Sequence, residues 1–289
     1  MVTELANAKV NLYLDVISRR PDGFHNIKTV MHSVSLSDTL TVSAVPAETT
    51  SLTLDVIGTP ELSGENNLAA RAAYAYLSAT GISATVHIRL EKSIPIAAGL
   101  AGGSTDAAAV LRALNKSFGF PLTAAELSEL AAGLGSDVPF CLLGGTALCE
   151  GRGELMHPIH APRPMNFVIA VADESVSTPA AYSALDSLYS DFDGSVTRSG
   201  AEEYETLSAF FMGAPLPGRL YNVFEDAVLP ECRGAREIKA AMLSFGAVSS
   251  LMSGSGPSVF GIFEDADGAE ECRSKLAELG YRAYVAHSA

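Results

Sequence analysis

The sequence predicts an α+β protein with two lobes. Strand-type alternation and helix-type periodicity are mixed along all 289 residues, with no internal repeat and no low-complexity tail. That length is close to the size at which one hydrophobic core usually splits into two. The chain also becomes proline-rich at Ala161-Pro162-Arg163-Pro164, which is typical of a boundary. We therefore predict one lobe of residues 1–161 and another of residues 162–289.

In the first lobe, residues 10–16 alternate between apolar and polar side chains, which predicts a strand with one buried face. Further strand patterns occur at residues 40–44, 52–56 and 86–90. Asn66 or Asn67 can cap a helix that Gly81 ends. Thr123-Ala124-Ala125-Glu126 is a capping box, so a second helix is expected to run from there to Leu134.

The second lobe is predicted to start with a strand at Phe167–Val171. Thr178 then caps a helix with Pro179 at its first position. Helical patterns follow at about 203–212, 220–229, 236–245 and 266–279, and strands at 258–263 and 282–286. A glycine-serine turn, residues 249–257, precedes the first of these strands.

Composition and charge exclude several classes of protein. Hydrophobic residues make up 48% of the chain and charged residues 18%, which suits a large buried core. We expect no membrane span and no export signal, because no apolar run approaches about 20 residues and the first residues lack a basic segment before an apolar one. The net charge of −14 argues against nucleic acid or an anionic membrane as a partner. A phosphate ligand would therefore have to be held by local donors.

The four cysteines are scattered, without the C-x-x-C spacing of zinc sites or of a disulfide framework. They are Cys141, Cys149, Cys232 and Cys272. This pattern predicts a reducing, cytoplasmic environment.

The most informative segment is the small-residue loop Pro95–Thr105, which follows a predicted strand and leads into a predicted helix. Glycines let the backbone approach a ligand closely, and the first N–H groups of the helix would point at an anion. The loop is not a Walker motif, because no Gly-Lys-Ser/Thr follows, and it is not a G-x-G-x-x-G fingerprint. The segment therefore predicts a phosphate site, and the alternative is close packing against a neighbouring helix.

Three other segments contain candidate catalytic residues. Lys9 and Asn11 are two apart on a predicted strand, so their side chains leave the same face, opposite the apolar one. Asp137 lies in a turn that Gly135 and Pro139 should fix. The segment Arg19–His25 is a turn flanked by cations, an aromatic ring and a histidine. Taken singly, these features are more typical of a solvated charge, a turn aspartate and a surface loop than of catalytic groups.

The ordered set of motifs resembles the GHMP kinases, a family that includes galactokinase, homoserine kinase and mevalonate kinase. The matching segments span nearly the whole chain in the family's order. They are residues 8–12, 20–25, 65–68, 95–105, 134–140 and 252–256. Within the family, the Pro-Asp-Gly-aromatic-His block and the Lys9/Asn11 pair resemble the branch that acts on a CDP-linked methylerythritol.

The resemblance implies a ribosomal-S5-like N-terminal lobe, a ferredoxin-like C-terminal lobe and ATP-dependent phosphorylation of the 2-hydroxyl of that substrate. The step belongs to the non-mevalonate isoprenoid route. Asp137 would be the base and Lys9 its cationic partner. Phosphoryl transfer needs positioning and charge neutralisation, which suits these roles, and Mg²⁺ should bridge the phosphates with Ser104 or Thr105 as candidate ligands. A monomer or homodimer is expected.

The resemblance also assigns the two ligands to residues. The ATP phosphates would lie on Pro95, Ile96, Ala97, Ala98, Gly99, Leu100, Ala101, Gly102, Gly103, Ser104 and Thr105. Asn67 and Lys92 would lie near the adenine. The substrate would contact Asn11, Phe24, His25 and Tyr182, with the cytosine stacked between Phe24 and Tyr182, which are expected in different lobes, and with His25 at the cytosine edge.

The sequence departs from the family pattern in the loop, where Ala97, Ala98 and Ala101 replace glycines. Phosphate binding should survive this if φ stays negative at the alanines. Phe24 replaces a common tyrosine, and the direction of the Asp106 side chain is open. The alternatives are a GHMP kinase for another small alcohol, such as homoserine or mevalonate, and a nucleotide or metabolite sensor without catalysis. Retention of the base, the lysine and the loop argues against a sensor.

Overall fold

The structure is a computed structural model that describes residues 1–189 and 200–289, and it confirms the α+β class. The chain forms two compact units. The first unit contains Met1–Ala8, Ser37–Pro95 and Ala101–Gly144, and the second contains Lys9–Leu36, Ile96–Leu100 and Gly145–Ala289. These units do not follow the predicted division at residues 161 and 162, because two long N-terminal strands each contribute residues to both.

These two strands are β1 (Val2–Arg19) and β2 (His25–Pro46). The first unit contains two more strands, β3 (Ser51–Ile57) and β4 (Ala84–Glu91). There β4 pairs antiparallel with residues 39–46 of β2 and parallel with β3. Residues 9–14 of β1 are all buried, so the prediction of a strand with one buried face was wrong for this segment.

Four α-helices of the first unit pack on one another. They are α1 (Leu68–Thr80), α2 (Gly102–Ser117), α3 (Ala124–Leu134) and α4 (Val138–Leu143), and a single 3-10 turn covers Pro60–Leu62. The predicted caps are confirmed: the Asn67 side chain accepts from the Ala69 N–H, and Thr123 and Glu126 satisfy each other's backbone donors. The Arg112 guanidinium of α2 donates to the carbonyl of Cys141, which anchors α4.

In the second unit, four strands form an antiparallel sheet in the order β11-β7-β10-β9. The strands of this unit are β5 (Thr146–Glu150), β6 (Leu155–Ile159), β7 (Asn166–Val171), β8 (Tyr221–Asn222), β9 (Ser249–Met252), β10 (Ser258–Phe263) and β11 (Arg282–His287). Strand β5 pairs with residues 29–32 of β2, and β8 pairs parallel with residues 13–14 of β1.

The helices of the second unit are α5 (Thr178–Leu188), α6 (Ala201–Phe211), α7 (Phe224–Val228), α8 (Arg233–Ser244) and α9 (Ala266–Glu278). Ser177, and not Thr178, caps α5, since its hydroxyl accepts from the Ala180 N–H. The helix predicted at 220–229 is instead β8 followed by the short α7. Among the described residues, no helix is long and apolar enough to cross a membrane.

Candidate active site

In the first unit, helix α2 begins at Gly102, within the small-residue loop and earlier than predicted, because the helix was expected to follow the loop. No side chain caps it, and Ala101 precedes it in the left-handed conformation. The N–H groups of a helix's first turn have no partner within the helix, so they are available to an anion. Gly103 is exposed and Ser104 half-buried, whereas the buried Thr105 hydroxyl donates to the carbonyl of Asn7 over 2.8 Å.

The backbone of the loop is bent by three residues with positive φ, which are Ala97 at 53°, Gly99 at 74° and Ala101 at 58°. The condition set for the alanines, a negative φ, is therefore not met at Ala97 and Ala101. An L-residue in this region costs about 1–2 kcal/mol, so the loop stores backbone strain beside the start of α2.

The glycines of the loop have different surroundings. A Cβ on Gly103 would meet nothing within 4 Å, whereas one on Gly102 would lie 3.3 Å from the Ile94 side chain. In the second unit, a Cβ on Gly99 would lie 2.2 Å from the carbonyl oxygen of Ser253, and the Ser253 hydroxyl donates to the Gly99 carbonyl over 3.0 Å. Gly99 is therefore fixed by backbone contact, and Gly103 borders open space.

Within the first unit, Lys92 joins two buried carboxylates at the start of α2. Its ammonium donates to Asp38 and, over 2.7 Å, to Oδ2 of Asp106. Asp38 also accepts from two backbone N–H groups, whereas Oδ1 of Asp106 has no hydrogen-bond partner among the described residues. Burial is the main cause that raises the pKa of Asp106 to about 7, although Lys92 acts against it. The Asp106 side chain thus points to Lys92.

The contacts made by Asn67 and Lys92 are structural ones. The Asn67 amide caps α1 and donates to the carbonyl of Leu62 over 2.9 Å. Burial lowers the pKa of Lys92, and the two carboxylates together outweigh it, so that the pKa is raised overall. Both side chains hold their own unit together at these positions, and their place near an adenine stays a prediction.

Asp137 lies in the first unit, immediately before α4. Its carbonyl accepts from the Cys141 N–H over 3.0 Å, and its side chain does not cap the helix. Because Arg112 ties α4 to α2, the backbone of Asp137 is fixed with respect to the helix that begins in the loop. Asp137 is half-buried, and residues 136 and 137 form the predicted turn.

Lys9 and Asn11 meet in the second unit and are both buried, so Lys9 is not a solvated charge. The Lys9 ammonium donates to Oδ1 of Asn11 over 2.8 Å and to the carbonyl of Gly99 over 3.1 Å. The Asn11 amide donates to the Thr29 hydroxyl over 2.8 Å. The lysine is thus held beside the loop backbone by a polar network in which each named donor has an acceptor.

The predicted substrate residues also lie in the second unit. The rings of His25 and Tyr182 are stacked with centroids 4.7 Å apart and planes 21° apart, and Phe224 packs edge-on against Tyr182. Phe24 is 51% exposed, and the Arg152 guanidinium lies 4.8 Å from its ring centroid. The structure thus brings His25 and Tyr182 together, and places Phe24 and Tyr182 in the same compact unit and not in different lobes.

Sequence reasoning missed Asp186 and Asn222, which hold His25 and the glycine-serine turn in place. Oδ1 of Asp186 accepts a hydrogen bond from Nε2 of His25 over 2.8 Å, and the four-residue spacing of Asp186 from Tyr182 on α5 was the only signal. Asn222 donates to the carbonyls of Met252 and Gly254 over 2.7 and 2.8 Å and so fixes the glycine-serine turn. Nothing in the local sequence pattern indicated Asn222.

Comparison with known proteins gives the family. The model for the GHMP kinases N terminal domain matches residues 67–145, and the model for GHMP kinases C terminal matches residues 206–282. The chain belongs to the GHMP kinases. This GHMP kinase is 41% identical over 282 residues to a 4-diphosphocytidyl-2-C-methyl-D-erythritol kinase of Gloeobacter violaceus, covering 97% of the chain and 92% of the relative. An enzyme of the same name from Symbiobacterium thermophilum is 42% identical, with 96% of each chain covered.

Solved structures agree with the assignment to the GHMP kinases. A crystal structure of 4-(cytidine 5'-diphospho)-2C-methyl-D-erythritol kinase has a TM-score of 0.80 and 35% identity to this GHMP kinase, with both chains covered completely. A homoserine kinase from Cytophaga hutchinsonii has a TM-score of 0.74 at 20% identity, with 100% of this chain and 94% of that chain covered. At 20% identity, the similarity to the homoserine kinase shows only that the two proteins share a fold.

Proposed function

We propose that this GHMP kinase transfers the γ-phosphoryl group of ATP to the 2-hydroxyl of 4-diphosphocytidyl-2-C-methyl-D-erythritol, a step of non-mevalonate isoprenoid precursor synthesis. Relatives of that name match nearly the full length of the chain at about 40% identity. The observation that carries the proposal is the stacked pair of His25 and Tyr182 near the Arg20–Phe24 turn. Such a pair suits an aromatic base, which homoserine and mevalonate lack.

The ATP phosphates are proposed to bind the first turn of α2. Its free N–H groups and the open space at Gly103 allow close approach of an anion, even in a protein with a net charge of −14. Lys92 does not serve as a mobile phosphate ligand in this proposal, because two carboxylates already hold its ammonium.

The site fits a Mg²⁺ ion that is held mainly by the phosphates. Among the described residues, no group of three His, Cys, Asp or Glu side chains could hold a metal by itself. Mg²⁺ usually combines one or two protein oxygens with phosphate oxygens and water. Ser104 is the better protein ligand, because the Thr105 hydroxyl is bonded to Asn7. Bound there, the ion would neutralise phosphate charge.

Asp137 is proposed to accept the proton of the attacking hydroxyl, which contributes roughly 10²–10⁴-fold to the rate. The fixed backbone before α4 supports this role, since a general base must hold its position to within a fraction of an ångström. Lys9 is proposed as the cationic catalytic group. Its buried network with Asn11 and Gly99 holds the ammonium in one place.

The cytidine is proposed to stack on Phe24 and Tyr182, with Asn11 as a further substrate contact. A base stacked on an aromatic ring typically gains about 1–3 kcal/mol. Phe24 supports this because half of its ring surface is exposed, and Tyr182 because Phe224 and His25 fix the ring from two sides. A cytoplasmic location and a monomeric or homodimeric state stay predictions.

The decisive experiment measures ADP release from ATP with four alcohols offered separately: the CDP-linked methylerythritol, homoserine, mevalonate and galactose. We expect turnover with the first alone, and mass spectrometry should then show one added phosphoryl group on the erythritol part. Turnover with homoserine or mevalonate would replace the proposed substrate. No turnover with any of them, together with ATP binding, would favour a sensor.

A further inference from the structure

The hydroxyl of Thr29 is buried between two polar groups of β1, and no step of the proposed reaction uses it. Thr29 lies on β2, is 0% exposed and has a β-branched side chain with few rotamers. Its hydroxyl donates to the carbonyl of Tyr13 over 2.6 Å and accepts from Nδ2 of Asn11 over 2.8 Å. A hydroxyl has a single proton, so the bond to Tyr13 leaves the oxygen as an acceptor for the amide.

The Asn11 amide in turn joins Thr29 to Lys9. Its NH₂ group donates to the Thr29 hydroxyl, and its Oδ1 accepts from the Lys9 ammonium over 2.8 Å. The opposite orientation would set the NH₂ group against the ammonium and Oδ1 against an oxygen that has already donated its proton. Both ends of the amide therefore have a partner in one orientation only.

The two acceptors that hold the Lys9 ammonium differ in what fixes them. One is the carbonyl of Gly99, at 3.1 Å, which belongs to the backbone and also accepts from the Ser253 hydroxyl. The other, Oδ1 of Asn11, lies on a side chain and would be withdrawn by a rotation of that side chain. The hydrogen bond from the far end of the amide to Thr29 opposes this rotation.

We propose that Thr29 is a positioning residue for phosphoryl transfer, because its hydroxyl holds the Asn11 amide and, through it, the ammonium of Lys9. The inference rests on the proposed function, in which Lys9 is the cationic catalytic group. A misplacement of about 1 Å can cost about 10²-fold in rate, so a residue that acts only through its neighbours can still set kcat. Packing in the sheet, by contrast, would need the volume of the Thr29 side chain and not its hydroxyl.

Two substitutions separate the hydroxyl from the volume of the side chain. Thr29→Val keeps the shape and removes the hydroxyl, so the Asn11 NH₂ group and the Tyr13 carbonyl lose a buried partner. Thr29→Ser keeps the hydroxyl and removes a methyl group. The matched control is Thr146→Val, because Thr146 is a buried threonine of β5, the strand that pairs with this part of β2, and its hydroxyl bonds His32.

The first measurement is the steady-state rate with ATP and the CDP-linked methylerythritol. In Thr29→Val we expect kcat to fall about tenfold or more, while KM for ATP stays within about twofold. Thr29→Ser and Thr146→Val should keep kcat within about threefold of wild type. Packing alone predicts the reverse order for the two Thr29 variants. Wild-type kcat in Thr29→Val, or an equal loss in Thr29→Ser, would overturn the inference.

A double-mutant cycle tests whether Thr29 acts through Lys9. In a Lys9→Ala protein, the additional change Thr29→Val should lower kcat by less than about twofold. A further loss of about tenfold would mean that Thr29 acts independently of Lys9, which contradicts the inference. Should Thr29→Val not fold, Thr29→Ala takes its place in both measurements, and equal kcat in Thr29→Ala and Thr29→Ser would then decide against a role of the hydroxyl.

The last measurement needs no substrate. In the free protein, nuclear magnetic resonance should show slow exchange with water for the Asn11 side-chain amide in wild type and Thr29→Ser, and faster exchange in Thr29→Val. The signals are assigned by their loss in Asn11→Ala. Equal exchange in wild type and Thr29→Val would refute the inference. If no CDP-linked alcohol is phosphorylated but the exchange becomes faster, the proposed function fails and the coupling of Thr29 to Asn11 stands.

Discussion

The start of α2 and the His25 cluster are built in opposite ways. At α2, the proposed ligand groups are backbone N–H donors, and the absence of side chains at Gly99 and Gly103 leaves the backbone exposed to close contact. In the cluster, the proposed ligand groups are the rings of Phe24, His25 and Tyr182, and other side chains hold the rings of His25 and Tyr182 in place. The first arrangement depends on backbone geometry, and the second depends on side-chain identity.

Under the proposed function, this difference separates the binding of phosphate from the recognition of a base. A helix N-terminus binds any phosphate chain with little regard to what is attached to it. A cluster of aromatic rings instead selects a ligand that carries an aromatic base. Substitutions that act on backbone geometry should therefore change ATP binding, and substitutions in the cluster should change substrate selectivity.

The largest expected effect belongs to the proposed base and not to either proposed ligand site. Asp137→Asn should lower kcat by roughly 10²–10⁴-fold, because the amide cannot accept the proton, while the affinity for ATP stays within a few-fold. Steady-state kinetics measure kcat, and calorimetric titration with a non-hydrolysable ATP analogue measures the affinity for the nucleotide. Glu129→Gln, an exposed carboxylate on the preceding helix α3, is the control. If Asp137→Asn kept a tenth or more of wild-type turnover, Asp137 would not be the base.

Asp106 should make the stability of the first unit depend on pH. Its pKa is raised in the folded state to about 7, mainly by burial, from a usual value near 4. The folded state therefore binds the proton more tightly, and its stability falls as the pH rises from about 4 to about 7, by at most about 1.4 kcal/mol per pH unit. Urea unfolding at several pH values should show this slope in wild type and not in Asp106→Asn. Asp173→Asn, at an exposed position, should keep it.

Gly103→Val tests the backbone site directly. The branched side chain should enter the open space over the first turn of α2 and raise the dissociation constant for an ATP analogue about tenfold or more, with little loss of stability. Gly102→Val should instead lower the melting temperature, since its Cβ meets Ile94. Gly133→Val, at a helical glycine with open space in α3, controls for helix propensity. Equal ATP affinity in Gly103→Val and Gly133→Val would move the phosphate site elsewhere.

Removal of an aromatic ring from the cluster should weaken binding of the CDP-linked substrate. Tyr182→Ala and Phe24→Ala should each raise KM for the CDP-linked substrate about tenfold, because a stacking contact of about 1–3 kcal/mol is lost. The same variants should leave KM for ATP unchanged, and Tyr74→Ala on α1 serves as a control at a partly exposed ring. Wild-type KM values for the substrate in both variants would contradict the cytidine site.

The smallest effect concerns the strained alanines. Ala97→Gly and Ala101→Gly relieve a left-handed backbone, and the greater freedom of the unfolded glycine offsets part of the gain, so stability should rise by less than about 1 kcal/mol. Ala98→Gly is the matched control and should destabilise, because Ala98 is buried and has no positive φ. Thermal unfolding of the three variants shows whether each substitution raises or lowers the stability.

The sequence by itself determined the features that depend on neighbouring residues. The capping box at Thr123 and the cap at Asn67 follow from hydrogen bonds over two or three residues. The α+β class and the family resemblance belong here too, because they rest on patterns and motifs that are read along the chain. The turn at Asp137 was also predicted, from Gly135 and Pro139 on either side of it.

Only the tertiary structure decided which residues distant in sequence contact the candidate site residues. Lys9 and Asn11 alternate with apolar residues as solvated side chains would, and only Gly99 and Thr29, distant in sequence, show that both are buried. The positive φ values of Ala97 and Ala101, the direction of Asp106 and the contact of Asp186 with His25 have the same origin. Each is set by groups that come together only when the chain folds, and hydrogen bonding and burial then outweigh the local preference of the residue.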